Sequence, residues 1–335
     1  MAVTAFQPYP WQLGYWNKLQ QRRARGSLPH GLLLEGPEGL GKAEFAVAFA
    51  ASLLCRAPDS QGRACNQCEA CHLFKAHTHP DFKLIEPAEE GKAITVDQIR
   101  EVVHYLSLSS HHGGVKVVVI QHAEAMNVNA ANGLLKSLEE PPGNTVMMLV
   151  TGRPTGLLPT IRSRCQSILF ALPERHLAKD WLTIHLPGDE DADLLLALAN
   201  GAPLKALDFA QKKVLDCRSE LLHSLEDALR PRADLLKVSK LWTETGWSIT
   251  LYWLYSYVAD MVRLKVSDQP SILNNPDSLE RLQRLAAQLG VSGLLDFANS
   301  VIKAQRSLRG NANPRLTMDE LVLAWRETYT QAHAK

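Results

Sequence analysis

The sequence predicts an α/β core built on a mainly parallel sheet, followed by two regions made only of helices, and three observations predict it. Between residues 31 and 170 short apolar runs alternate with stretches of helical period. The first of these runs leads through a glycine-rich turn directly into a helix. Beyond Pro173 the strand-like runs vanish while helical periodicity continues.

Each element has its own warrant. Gly31–Glu35 (GLLLE) is a short apolar strand, and Ala43–Cys55 places Phe45, Ala46, Phe49, Ala50, Leu53 and Leu54 on one helical face. Phe82–Ile85 reads as a second strand. Thr95-Val-Asp-Gln98 is a capping box that opens a helix through about Leu106. Lys116–Ile120 (KVVVI) is a buried strand, followed by a helix near Asn129–Glu139 that Pro141 and Pro142 must stop. Thr145–Val150 supplies another strand. Strands joined by helices imply a parallel sheet with helices on both faces. Glu174–His185, Asp191–Asn200 and Leu204–Lys212 read as three short amphipathic helices forming a small lid, with Gly201 as a helix-ending glycine. Helical period continues through Ser219–Leu229, Leu235–Trp242, Ile249–Val266, Leu279–Leu289, Leu294–Leu308 and Met318–Thr328. The expected domains are therefore a core over 1–170 with a metal-binding insertion at 55–71, a lid over 171–212 and a helical domain over 213–335.

Composition narrows the function. A chain of 335 residues exceeds what one hydrophobic core organises. The apolar runs, such as Val117–Ile120, fall far short of the roughly 20 residues that span a bilayer, so no membrane association is expected. The opening MAVTAFQPYPWQLGYW lacks a basic region, an apolar stretch and a cleavage site, which makes the cytoplasm the expected location. A formal net charge of +1 argues against a protein that grips nucleic acid alone. Of 6 cysteines, four crowd into Cys55–Cys71, a pattern of metal binding, while Cys165 and Cys217 stand apart.

Gly36-Pro-Glu-Gly39-Leu-Gly41-Lys42-Ala43 lies between a strand and a helix, the setting in which GxxxxGK[ST] cradles phosphate. Gly36, Gly39, Gly41 and Lys42 are in place. Ala43, however, has no hydroxyl to offer magnesium, and Gln121 and His122 stand where two acids should end the strand Val117–Ile120. Glu124, two residues on, could substitute only by displacing the helix after it. The loop reads either as a structural turn or as a weak, metal-independent nucleotide site, and no Mg-ATP hydrolysis is expected.

Cys55, Cys65, Cys68 and Cys71 have the spacing C-x9-C-x2-C-x2-C. Four thiolates suit a structural, tetrahedral Zn2+ that would order the polar segment Arg56–Asn66. An iron–sulfur cluster is the alternative. His72, His77 and His79 are expected as surface or capping residues, with His72 a possible replacement ligand.

Pro29-His-Gly-Leu-Leu-Leu, Thr78-His-Pro-Asp81, Asn132-Gly-Leu-Leu-Lys-Ser-Leu-Glu-Glu-Pro-Pro142 and Ile161-Arg-Ser-Arg-Cys165, with the cysteine insertion, resemble the bacterial DNA polymerase III clamp-loader AAA+ family over residues 10–210. The resemblance implies an α/β AAA+ (P-loop NTPase-like) core, and the missing hydroxyl and acids imply a non-hydrolysing subunit rather than the ATP-hydrolysing gamma/tau. Ser163-Arg164-Cys165 matches the motif whose arginine enters the ATP site of an adjacent subunit, so Arg164 is implied as an arginine finger acting in trans. Spacing alone allows Arg164 to cap the preceding helix or pair with a surface acid. Arg162 is a second candidate at that interface. Leu204 stands where active members carry a sensing arginine, Lys205 beside it could compensate, and Thr151 matches a phosphate-sensing position. The implied partners are gamma/tau and delta, joined through the C-terminal helices as an oligomerising collar, with the sliding clamp and primer-template DNA reached through the complex. The chain would thus belong to a DNA-directed DNA polymerase holoenzyme. An active AAA+ ATPase with unusual site residues, and a free-standing zinc-containing DNA-binding module, are the rival readings.

Overall fold

The computed structural model describes residues 6–333 apart from 90, 111–113, 189, 213, 268–269, 271–272 and 311. The expected domain limits at 1, 213 and 335 lie outside the described residues. The chain forms two compact units, Met1–Trp181 and Leu182–Lys335.

In the first unit a helix, α1 (Leu13–Ala24), precedes β1 (Gly31–Glu35) and α2 (Lys42–Leu54). There follow α3 (Glu69–Lys75), β2 (Phe82–Ile85), α4 (Val96–Ser107), β3 (Lys116–Ile120), α5 (Val128–Glu139), β4 (Thr145–Thr151), α6 (Pro159–Arg162) and β5 (Gln166–Leu169). All strand pairs are parallel, in the order β2-β3-β4-β1-β5. The register sets Leu33 beside Leu149 and Val118 beside Met147, so alternate residues of neighbouring strands share a face. On one face Leu33, Val118, Ile120, Met147 and Leu149 pack with Ile99, Val102 and Leu106 of α4 and Ala130, Ala131, Leu134 and Leu138 of α5. The intervening residues, including Leu32, Val117, Val119 and Met148, are equally buried and face the side where α2 meets β1, β3 and β4. There Trp16 of α1 sits edge-on to Phe45 and Phe49 of α2, and Phe45 meets Phe170. Burial on both faces explains why these strands read as continuous apolar runs. Thr95 closes its capping box with Gln98, and Asn127 caps α5 through Ala130.

The boundary between the units falls within α7 (Arg175–His185). The second unit continues with α8 (Ala192–Leu198), α9 (Pro203–Gln211), α10 (Val214–Ala228), α11 (Leu235–Glu244), α12 (Trp247–Val266), α13 (Leu279–Ala287), α14 (Val291–Arg309) and α15 (Pro314–His333). Trp242, Trp253, Tyr257, Phe297 and Trp325 are among its largest buried side chains. A polar network lies beside that core. Arg218 of α10 is buried and bonds Asp277 bidentately at 2.6 and 2.8 Å, and Asp260 accepts the Asn275 amide at 2.7 Å. The α/β core on a parallel sheet and the all-helical remainder agree with the sequence. Among the described residues no single helix is long and apolar enough to cross a membrane.

Candidate functional site

The phosphate-type loop joins β1 to α2, with Gly36, Gly39 and Gly41 all at positive φ, so the backbone turns that only glycine adopts freely are intact. Its lysine is engaged internally. Lys42 is only 6% exposed, and its Nζ donates to the carbonyls of Gly36 at 2.8 Å and Pro37 at 2.5 Å. Burial lowers the Lys42 pKa, while Glu38, Glu124 and Glu44 oppose the fall. The outer rim is also packed. Trp11 Nε1 donates to Leu40 O at 3.0 Å, and Gln12 Nε2 donates to Leu40 O and Gly41 O, both at 2.8 Å. Tyr9 stacks on Trp11 with centroids 4.9 Å apart, and Trp181 stands edge-on to both rings. Burial, then Glu44, pushes the Tyr9 hydroxyl up to about 12. A Cβ at Gly41 would meet the Tyr9 ring at 2.6 Å.

At the end of β3, the Gln121 backbone N–H donates to Ile85 O, and His122 adopts a left-handed conformation at φ 50 before the 3-10 turn Ala123–Ala125. Glu124 lies in that turn, and its Oε2 is buried without a hydrogen-bond partner among the described residues. This carboxylate lies within electrostatic range of Lys42 and opposes the fall of its pKa. Thr151 is buried at the end of β4, and its hydroxyl accepts from Arg153 N at 3.0 Å. In the second unit the Lys205 ammonium lies 3.6 Å from the Tyr252 ring centroid, a cation–π contact.

The cysteine insertion begins where α2 ends. Cys55 is the residue capping α2, Cys68 caps the start of α3, and Cys71 lies within α3. All four Sγ atoms lie within 4.8 Å of one another, with Cys55–Cys68 and Cys65–Cys71 each at 3.9 Å. A tetrahedral ion with bonds of about 2.3 Å sets its sulfurs roughly 3.8 Å apart, so the group could hold one metal ion. Backbone N–H groups already point at the sulfurs, Cys65 N at Cys55 Sγ (3.2 Å) and Cys68 N at Cys65 Sγ (3.3 Å). The thiols divide. Desolvation raises Cys55 and Cys71. The amides of Gln67 and Cys68 lower Cys65. Desolvation opposes ionisation at Cys68, but the amides of Arg56 and Cys71 together with the Cys71 and Cys65 thiols outweigh it and draw that thiol down to about 6. Two thiols are thus lowered and two raised, and a bound cation would favour the thiolate at all four. The segment between the ligands is tied down by Trp16 Nε1 to Gln61 O at 2.8 Å and by Ser52 Oγ to Gly62 O at 2.6 Å. His72 and His77 are exposed, as expected. His79 is buried and takes the capping alternative, its Nδ1 accepting from Asp81 N at 3.1 Å.

Arg164 comes just after α6. Its Nε donates to Glu139 Oε1 at 2.6 Å, its Nη2 reaches the same oxygen, and its Nη1 donates to Thr160 O at 2.9 Å. Both geometries that spacing alone allowed, a bond to the preceding helical turn and a pair with an acid, are therefore present. Arg162 ends α6 and is exposed. Sequence reasoning gave no role to Tyr9, Trp11, Gln12, Trp181 or Glu139. The aromatic run YPWQLGYW was a signal for the first three, since such residues ahead of a phosphate loop must pack somewhere.

Residues 11–174 match the family described as "DNA polymerase III, delta subunit", and residues 213–327 match "DNA polymerase III, delta subunit, C terminal". DNA polymerase III subunit delta' of Pseudomonas aeruginosa is 35% identical over 95% of this chain and 97% of its own length. The subunit of the same name from Escherichia coli is 31% identical over 94% of each chain. Among solved structures, a DNA polymerase III gamma subunit-related protein of Thermotoga maritima aligns over 95% of this chain and 99% of its own, at 20% identity and a TM-score of 0.48.

Proposed function

This chain belongs to the family of DNA polymerase III delta-prime subunits and has a clamp-loader role, and on that premise we propose that it is a non-hydrolysing member that acts on ATP held by a neighbour. The observation that carries the reading is the state of its own phosphate loop. Ala43, Gln121 and His122 supply neither the hydroxyl nor the carboxylates that magnesium and water need, and Lys42 is bonded to the loop's own carbonyls. Arg164, at the family's arginine-finger position, keeps 32% of its side chain exposed. A guanidinium is permanently charged and can grip phosphate oxygens at two points, so it stabilises the charge that develops as the phosphoryl group leaves.

In this reading Arg164 enters the ATP site of an adjacent gamma/tau subunit. Delta is the other ring neighbour, and the assembly opens the sliding clamp and loads it on primed DNA. The four cysteines hold a structural Zn2+, since sulfurs this close leave no room for the bridging sulfides of a cluster. Residues 171–212 act as the lid and 213–335 as the collar that joins the ring.

The test compares Arg164→Ala with wild type in the reconstituted loader. Clamp-stimulated ATP hydrolysis is expected to fall at least about tenfold with assembly intact, since fingers contribute roughly 10³-fold or more at a single site. Unchanged hydrolysis removes the finger assignment, and brisk ATP turnover by the purified chain alone, lost in Lys42→Ala, removes the non-hydrolysing reading.

A further inference from the structure

Arg164 does not stand free, and the way it is held is specific. Its Nε donates to Glu139 Oε1 at 2.6 Å and its Nη2 meets the same oxygen, so the carboxylate grips the guanidinium along its inner edge. Nη1 makes only neutral contacts, to Thr160 O at 2.9 Å and Ser163 Oγ at 3.2 Å. Charge-assisted bonds are about twice as strong as neutral ones. An incoming phosphate would therefore displace the Nη1 contacts first and leave the Glu139 grip in place.

Glu139 itself is rigidly mounted. It is the last residue of α5, directly after Leu138, which is buried and whose carbonyl is bonded by His30 Nε2 at 2.8 Å. The Arg164 backbone is equally constrained, because its carbonyl passes 3.2 Å from where a Cβ at Gly31 would lie. Two fixed backbones with one carboxylate between them hold a long, rotamer-rich side chain in a single direction.

We propose that Glu139 is a positioning residue for Arg164, pre-orienting the guanidinium so that its outer Nη edge faces a polyphosphate. This rests on the finger reading of Arg164. An arginine ordered before the neighbour's nucleotide arrives loses less freedom when it engages, and the gain is realised at the transition state, where charge on the phosphoryl oxygens changes most. The single exposed pair is weak enough to leave the guanidinium able to engage a polyanion.

The test uses the reconstituted loader with clamp and primed DNA, comparing wild type with Glu139→Ala, Glu139→Gln, Arg164→Ala and the double variant. Glu139→Ala is expected to lower kcat about threefold to tenfold with KM for ATP within about twofold. Glu139→Gln keeps an acceptor and should recover part of the loss. Glu139→Ala should add nothing on top of Arg164→Ala, since its effect runs through that side chain. In the isolated chain, the Arg164 Nε–H NMR signal should be protected from solvent exchange in wild type and lose that protection in Glu139→Ala. A drop in Arg164→Ala with wild-type or faster turnover in Glu139→Ala overturns the role of Glu139 alone. So does an additive loss in the double variant. Unchanged turnover in Arg164→Ala overturns the finger reading and this proposal with it.

Discussion

The phosphate loop and the cysteine cluster sit at opposite ends of the same helix, Gly41 just before α2 and Cys55 just after it, and they treat their polar groups in opposite ways. At the loop, Lys42 bonds the carbonyls of Gly36 and Pro37, while Trp11 and Gln12 bond those of Leu40 and Gly41. At the cluster, four sulfurs converge within 4.8 Å of one another. A site kept for a ligand leaves its ligating atoms aimed at a common point. At the loop the polar atoms instead bond one another, because buried polar groups left unpaired are costly.

The contrast breaks most visibly at the cysteines. Cys71→Ser should abolish the metal content of about one ion per chain and lower the unfolding free energy by roughly 4 kcal/mol or more, and chelation of wild type should do the same. Denaturation curves that ignore both would show that the cluster needs no ion.

A smaller loss is expected at the rim of the loop. Gly41 has φ +77, and an added Cβ would lie 2.6 Å from a Tyr9 ring that is itself stacked on Trp11. Gly41→Ala should therefore cost about 2–3 kcal/mol in urea titrations, and a neutral substitution would mean that the rim is not closed.

The smallest effect sharpens the contrast through pH. Burial holds the Lys42 pKa below its ordinary 10.5, so just under 10.5 the unfolded chain binds more protons than the folded one. Stability then rises with pH in that window. Lys42→Met removes the titrating group, so the stability of wild type relative to the variant should climb as pH approaches 10.5, while at neutral pH the two differ by roughly 1 kcal/mol or less. A difference that stays flat across the window would mean Lys42 is not desolvated.

Much of the fold was legible because its signals are local. Four of the five strands were read from apolar runs or from their place between helices, and the helices of the second unit from their period. β5 escaped because it is an edge strand, paired among the described residues with β1 alone, and Gln166, Ser167 and Leu169 are exposed, so no apolar run marks it. Cys65, Cys68 and Cys71 were legible as candidate ligands because two-residue gaps bring thiols together locally, and Cys55, with nine residues between it and Cys65, by its place at the end of α2. The internal bonds of Lys42 were not, since a loop lysine has the same sequence whether it reaches outward or back. Nor was the burial of His79, which depends on how the chain enters β2.

Residue identity alone limits the chemistry that is possible. An alanine has no hydroxyl, a glutamine and a histidine are not carboxylates, and four cysteines remain four soft ligands in any packing. Which atoms meet depends on how the elements pack. Glu139 and Arg164 lie 25 positions apart and pair because α5 and α6 pack together against one sheet. Tyr9 and Trp11 close over Gly41 because α1 and α2 pack through Trp16, Phe45 and Phe49. Residue type is local and covalent, whereas contact between distant side chains is set by the burial of the whole apolar surface, which no short window of sequence contains.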